Sequence, residues 1–221
     1  MFSTALSPFR KVLKYAKDHP VIFGLGFSCA KTSFADFLVQ RFMEGRKRID
    51  YLRNLTFGAF GLFYLGGIQY AIYVPLFRRL FPYATTFSNL PLRAKLTDKK
   101  GLLTMLKQVL LDQCVHHPLL YFPSFYAIKA MVTGATLESA AESYKKNIAS
   151  DMLALWKIWV PATIINFTFS PFWLRIPFVA CVSLLWTCIL SAMRGATEQK
   201  EVEFEMIEDS LDAVGNVGTA M

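Results

Sequence analysis

The stretch Asn54–Phe77, "NLTFGAFGLFYLGGIQYAIYVPLF", runs for 24 residues without an Asp, Glu, Lys or Arg. Wound as an α-helix it would be about 36 Å long, against a hydrocarbon core of about 30 Å. Ile176–Met193, between Arg175 and Arg194, adds 18 further charge-free residues. Segments this long and apolar read as transmembrane helices, so the chain is read as an integral membrane protein.

The rest of the 221 residues fits that reading, with 54% hydrophobic and only 18% charged side chains, against about 25% charged in soluble domains. The net charge of +8 is unevenly spread. Residues 194–221 carry Arg194 and Lys200 against seven acids, a net −5, which leaves +13 on the body. The basic residues are scattered over several loops, so they suit lipid headgroups and anionic solutes rather than a nucleic-acid footprint. Cys29, Cys114, Cys181 and Cys188 all lie in apolar segments without a Cys-x-x-Cys and read as small buried hydrophobes.

Residues 1–18 hold Arg10, Lys11, Lys14 and Lys17 with no acid before Asp18, and Phe2, Leu6, Phe9 and Leu13 recur at helical spacing. Such a segment is either a mitochondrial targeting helix or a basic amphipathic helix on a membrane surface. The body, residues 19–193, divides into spans at about 19–40, 54–77, 102–127 and 172–193. A basic loop lies at 78–100 and a polar connector near 134–146. An interfacial or half-inserted helix is expected at about 150–169, with Trp156 and Trp159 at headgroup level; five spans is the alternative. Residues 194–221 read as an acidic, disordered tail. The fold class is therefore all-α, a bundle of four transmembrane helices plus that extra helix. Counting Lys and Arg by side gives 12 with the termini and 8 opposite, a slight lean towards termini inside.

Two spans carry charge where lipid would penalise it. A central Lys or Asp costs about 2.5–3.5 kcal/mol, and each good apolar residue returns only about 0.3–0.6. At about 100° per residue, Gln108, Asp112, Gln113 and His116 fall on one arc of the third span. Thr32, Ser33, Asp36 and Gln40 do the same on the first. Lys31-x4-Asp36 recurs as Lys107-x4-Asp112, a short echo between the two halves. These stripes either line a hydrated pathway or meet dry, through hydrogen bonds such as Asp36 to Lys107 or Asp112 to Lys31. Small residues, Gly24-x3-Ser28, Gly26-x3-Ala30 and Gly67-x3-Ala71, mark expected edges of close helix packing.

Other chemistries find less support. "GLGFSCAKTS" ends like a phosphate loop but lacks the Gly before Lys31 and a preceding strand. Asp112, His116 and His117 offer metal-ligand types, yet without a further ligand motif they read as polar lining or helix-end histidines. No metal, no cofactor and no nucleophile–base constellation is expected, and the chain is not read as an enzyme.

Several motifs resemble one family. "KTSFADFLVQ", with Pro20 ahead of it, is similar to a first-span Gly-Asp-x3-Gln carrying Ala35 in place of Gly. "KQVLLDQCVHHP" is similar to a Lys-x4-Asp-Gln-x4-Pro third span. "WKIWVPATIINFTFSPFWLR" followed by "WTCILS" brings Trp156, Trp159, Asn166, Phe167, Pro171, Arg175, Trp186, Leu190 and Ser191 into place. Over residues 15–193 the chain resembles the Mpv/twenty-two-kilodalton peroxisomal membrane protein family. Its departures are Val160 and Thr163, and in the second span Gly67, Tyr70 and Ile72, with Tyr73 kept. The resemblance implies a four-span protein of the mitochondrial inner membrane or, alternatively, the peroxisome. It also implies a channel for small metabolites and a link to mitochondrial homeostasis and mitochondrial DNA maintenance.

The expectation that follows is a small, weakly selective solute pathway lined by Asp36, Gln40, Asp112, Gln113 and His116. Lys31, Lys107 and Arg175 would set the charge at its mouths or pair between helices. Its partners would be the lipid bilayer and small metabolites, anionic ones included, with a homo-oligomer left open and no nucleic acid. The rival is a non-conducting scaffold that uses the same polar groups to hold helices together.

Overall fold

The computed structural model describes residues 14–15, 18–168 and 172–218, and all regular structure among them is helical. Nearly all of the N-terminal basic segment and Pro171 lie outside the described residues, as do the side chains of Asn166, Phe167 and Arg175.

Helix α1 begins at Pro20, where a residue without an N–H is best tolerated, and runs Pro20–Leu38 before widening into π-helical geometry over Val39–Met43. Gly45, at φ +65°, turns the chain. Helix α2 (residues 51–80) opens on Asp50, whose carboxylate accepts the backbone N–H of Arg53 at 3.0 Å. It too widens to π geometry, over Phe60–Ile68 and Ile72–Leu76. The basic loop is not structureless, since it holds two short helices, α3 (Tyr83–Ser88) and α4 (Leu92–Thr97). Helix α5 (residues 99–133) is capped by Asp98, which accepts from Gly101 N–H at 3.0 Å, and ends at Gly134 with φ +75°.

Two expectations need correcting. The polar connector and the half-inserted helix are one uninterrupted helix, α6, spanning Leu137–Thr168, about 48 Å long. Residues 138–146, "ESAAESYKK", contain no helix breaker and are rich in Ala, Glu and Lys, so polarity alone does not interrupt the helix. Helix α7 then runs Phe172–Gly218, so helical backbone continues through the acidic segment expected as a disordered tail. Between Thr197 and Asp212 that segment holds five glutamates together with Gln199, Lys200, Met206 and Leu211, all good helix formers.

Among the described residues, Val21–Met43 and Leu137–Ile165 are long and apolar enough to cross a bilayer, with Cys181–Thr197 a shorter apolar stretch. The outer surface exposes Phe27, Phe34, Phe63, Leu106, Leu119, Leu153, Ile164 and Leu185. Such a surface belongs in contact with lipid rather than water. Cys114 and Cys181 are also exposed, contrary to expectation. Where the exterior is itself apolar, a small hydrophobe gains nothing from being inside.

Helix α1 packs on α2 and α7, the last part of α5 packs on α6 and α2, and α6 packs on α7. An aromatic core of Phe57, Phe60, Tyr64, Tyr121, Phe122, Phe125 and Tyr126 joins α2 to α5. Edge-to-face pairs dominate it: Phe60 meets Tyr121 at 5.0 Å and 88°, and Phe125 at 5.3 Å and 90°. The α1–α2 approach is close: the expected Gly24-x3-Ser28 edge of α1 does face α2, through the Gly24 and Ser28 carbonyls, but the glycines that make room for it lie on α2 and are not the one expected there. A Cβ added at Gly24 or Gly26 would meet nothing, and one at Gly67 would make only ordinary contacts. At Gly61 it would stand 2.5 Å from the Ser28 carbonyl oxygen, and at Gly66 2.6 Å from Leu25 Cα. The seam therefore runs along Gly58, Gly61 and Gly66 of α2.

Candidate functional site

Helices α1, α2, α5, α6 and α7 surround a cavity of about 610 Å³. Its wall is largely apolar, with Leu65, Phe77, Val109, Trp159, Val179 and Trp186. The polar groups reaching it include Ser28 and Lys31 of α1, Gln69 and Tyr73 of α2, Gln108, Asp112 and His117 of α5, and Ser183 of α7. Lys31 Nζ donates to Ser183 Oγ at 2.5 Å.

Asp112 is the centre of the polar wall. The Tyr73 hydroxyl donates to Asp112 Oδ1 at 2.5 Å, and His116 Nδ1 lies 2.9 Å from the same oxygen. Gln113 Nε2 donates to Oδ2 at 3.0 Å. The other nitrogen of His116, Nε2, is 2.9 Å from the Tyr64 hydroxyl, and His117 Nδ1 is 2.7 Å from the Asp112 carbonyl oxygen. These groups converge because α5 is π-helical over Asp112–Tyr121. In that geometry each N–H reaches five residues back, and Pro118, which has none, leaves the Gln113 carbonyl without its helical partner. Trp156 of α6 supplies the missing donor, Nε1 to Gln113 oxygen at 3.3 Å.

Asp36 lies elsewhere, in a dry network at the junction of α1, α2 and α7. It is fully buried, with Arg53 Nε 2.9 Å from Oδ1. Gln40 Nε2 and Asn54 Nδ2 donate to Oδ2 at 2.7 and 3.0 Å, and Ser191 Oγ donates to Oδ1 at 2.7 Å. Arg53 reaches on with both terminal nitrogens to Glu44, at 3.0 and 2.7 Å, and donates to the Ser191 carbonyl at 2.8 Å. Burial raises the Glu44 carboxyl, but hydrogen bonding and charge from Arg53, with Arg46 beside it, outweigh that and hold it below its ordinary value.

A third network was not anticipated from sequence. Arg194 Nη2 pairs with Asp151 Oδ1 at 2.5 Å, the Tyr126 hydroxyl donates to Asp151 Oδ2 at 2.8 Å, and Arg194 Nη1 donates to that hydroxyl at 2.6 Å. It ties α5, α6 and α7 together.

The expected lining set therefore divides. Asp112 lines the cavity, and of the expected mouth cations Lys31 does too. Asp36 and Gln40 do not, because Arg53 and Asn54 enclose them between helices. Gln113 and His116 are buried behind the wall, bonded to Asp112 and Tyr64. Lys107 is exposed on α5, away from the cavity. The two stripes do not face one another: α2 presents Arg53 to one and Tyr73 to the other. Of the motif tryptophans, Trp159 and Trp186 line the cavity, and Trp186 Nε1 donates to the Tyr121 hydroxyl at 3.0 Å. Sequence reasoning missed Arg53, Glu44, Gln69, Asp151 and Arg194. The one available signal was position, since Arg53 and Arg194 each directly adjoin a charge-free run.

Comparison with known proteins agrees with the motifs. A model of the Mpv17 / PMP22 family matches residues 130–191. Protein SYM1 of Debaryomyces hansenii is 26% identical over 160 residues, covering 72% of this chain and 74% of its own. The PXMP2/4 family protein 2 of Dictyostelium discoideum is 25% identical over 162 residues, 71% of this chain and 75% of its own. The mitochondrial inner membrane protein Mpv17 of Danio rerio is 28% identical over 86 residues, 39% of this chain and 48% of its own. No solved structure matches.

Proposed function

We propose, from the premise that this chain belongs to the Mpv17 / PMP22 family, that it is an organelle-membrane protein whose central cavity carries small solutes. The observation that carries the reading is the 610 Å³ space within the bundle, reached by Lys31 and Asp112 from helices on different sides. A weakly selective route needs such a space, with a few polar groups that replace hydration without binding tightly. The mitochondrial inner membrane is the proposed location, supported by the name of the Danio rerio relative, with the peroxisomal membrane as the alternative. A link to mitochondrial DNA maintenance, which the resemblance implies, would follow indirectly, through solute balance across that membrane.

The test is solute efflux from liposomes holding the full chain. Flux above empty liposomes is expected, reduced severalfold by Asp112→Asn and by Lys31→Met in folded protein. Efflux that both variants leave at the unsubstituted level would remove the cavity as the route.

A second reading, a non-conducting scaffold, is favoured by the Asp36–Arg53 and Asp151–Arg194 pairs. They commit much of the intramembrane charge to holding helices together. It forecasts efflux no faster than from protein-free vesicles.

A further inference from the structure

We propose that Asp112, His116 and His117 form a binding site for a divalent transition-metal ion of the zinc class, set in the wall of the cavity. The site goes beyond solute passage and stands whether or not solute crosses.

One ligand atom from each of the three residues lies within 4.8 Å of the other two. Zinc holds imidazole nitrogens and carboxylate oxygens at about 2.0–2.2 Å in tetrahedral array, which puts ligand atoms about 3.3 Å apart. Asp112 Oδ1 to His116 Nδ1 is 2.9 Å and Asp112 Oδ2 to His117 Nδ1 is 3.7 Å, on either side of that separation. The Tyr73 hydroxyl, 3.4 Å from His116 Nδ1, stands beside the set. Little backbone movement is needed, because the π-helical turn already brings residues 112, 116 and 117 to one face.

The surroundings are those a metal site requires. A ligating histidine ordinarily donates its second ring N–H to a fixed acceptor, which sets the tautomer. Freeing His116 Nδ1 puts its proton on Nε2, where the Tyr64 hydroxyl accepts at 2.9 Å. Gln113 Nε2 holds the carboxylate through Oδ2 at 3.0 Å, orienting Asp112 in the same way. His117 exchanges its hydrogen bond to the Asp112 carbonyl oxygen for the metal. Asp112, His117 and Tyr73 all border the cavity, which supplies an entry path and an open fourth position. Two imidazoles and one carboxylate suit zinc, copper, nickel or iron rather than magnesium or calcium.

The experiment uses the full chain in detergent, purified without a polyhistidine tag and stripped with chelator, then titrated with Co²⁺ and Zn²⁺. One equivalent per chain is expected, with a Co²⁺ absorption band that Zn²⁺ displaces. His117→Gln and Asp112→Asn should each weaken binding by more than about tenfold, and Tyr64→Phe, which removes only the outer partner, by about tenfold. His19→Gln should leave it unchanged. Circular dichroism checks each variant. If Asp112→Asn fails to fold, His117→Gln decides, since its ring is bonded only within its own helix. No uptake by the native chain overturns the site, as does uptake that His117→Gln leaves intact or that Mg²⁺ abolishes at equal concentration.

Discussion

Asp36 and Asp112 occupy matching places in their helices, each five residues after a lysine, and meet opposite surroundings. Asp36 is sealed against Arg53, Gln40, Asn54 and Ser191, with neither charge in contact with the cavity. Asp112 holds a hydroxyl and an imidazole on one oxygen and borders the cavity. The difference lies in α2, which offers a guanidinium to one aspartate and a phenol to the other. A polar stripe on one helix thus states that a partner exists, and the neighbouring helix decides whether that partner is a lock or a lining.

The contrast can be broken most forcefully at the lock. Arg53→Met should destabilise the fold by about 3–5 kcal/mol, because Asp36 would remain as a buried carboxylate with no cation against it, while Glu44 would keep only Arg46. Thermal unfolding in detergent reads this, and adding Asp36→Leu with Glu44→Gln should recover part of the loss. Next in size is Gly66→Ala on the seam where α1 meets α2. A methyl group 2.6 Å from Leu25 Cα should force the helices apart, at about 1–3 kcal/mol. Asp112→Asn should cost only about 1 kcal/mol by the same assay, because its oxygen can still accept from Tyr73 and its NH2 can donate to Gln113 Oε1 once that amide turns over. A loss as large as that of Arg53→Met would erase the distinction between the two aspartates.

The smallest effect is a pH dependence at the edge of the lock. Glu44 has a folded value below its unfolded one, so its contribution is complete above the unfolded value of 4.5 and fades as pH falls through the lower folded value. Unfolding temperature should therefore drop on acidification below that point, and more shallowly in Glu44→Gln. Equal slopes for the two proteins would show that Glu44 does not couple to folding.

Much of the helical character was legible in the chain, because long apolar runs and a helical arc of polar groups are local properties. The Asp36 stripe was legible as a stripe. Its partner was not, since Arg53 sits at a helix start and reads as a loop charge until α2 is laid against α1. Asp151 and Arg194 escaped for the same reason: they lie 43 residues apart and meet only through the packing of α6 on α7. The Gly24-x3-Ser28 edge was legible, but its counterpart on α2 was assigned to Gly67 rather than Gly61 and Gly66, because a Gly-x3-small pattern identifies a candidate edge without saying whether it faces a neighbour. Asp112, expected as lining, and Lys31, expected as a mouth charge or interhelical partner, both border the cavity. Gln69 was not foreseen there, because it stands alone within an otherwise apolar run and belongs to no stripe.

Gly195 gives the lock a longer reach. A side chain there would strike Glu44 Oε1 and come within 2.5 Å of Arg53 Nη1, so the α7 backbone rests directly on the ion pair. Any residue larger than glycine at 195 would have to part Arg53 from Glu44 or hold α7 further away. Arg53, also bonded to the Ser191 carbonyl, thus joins the α7 backbone to Glu44 in the turn after α1 through a gap that only a hydrogen side chain leaves open.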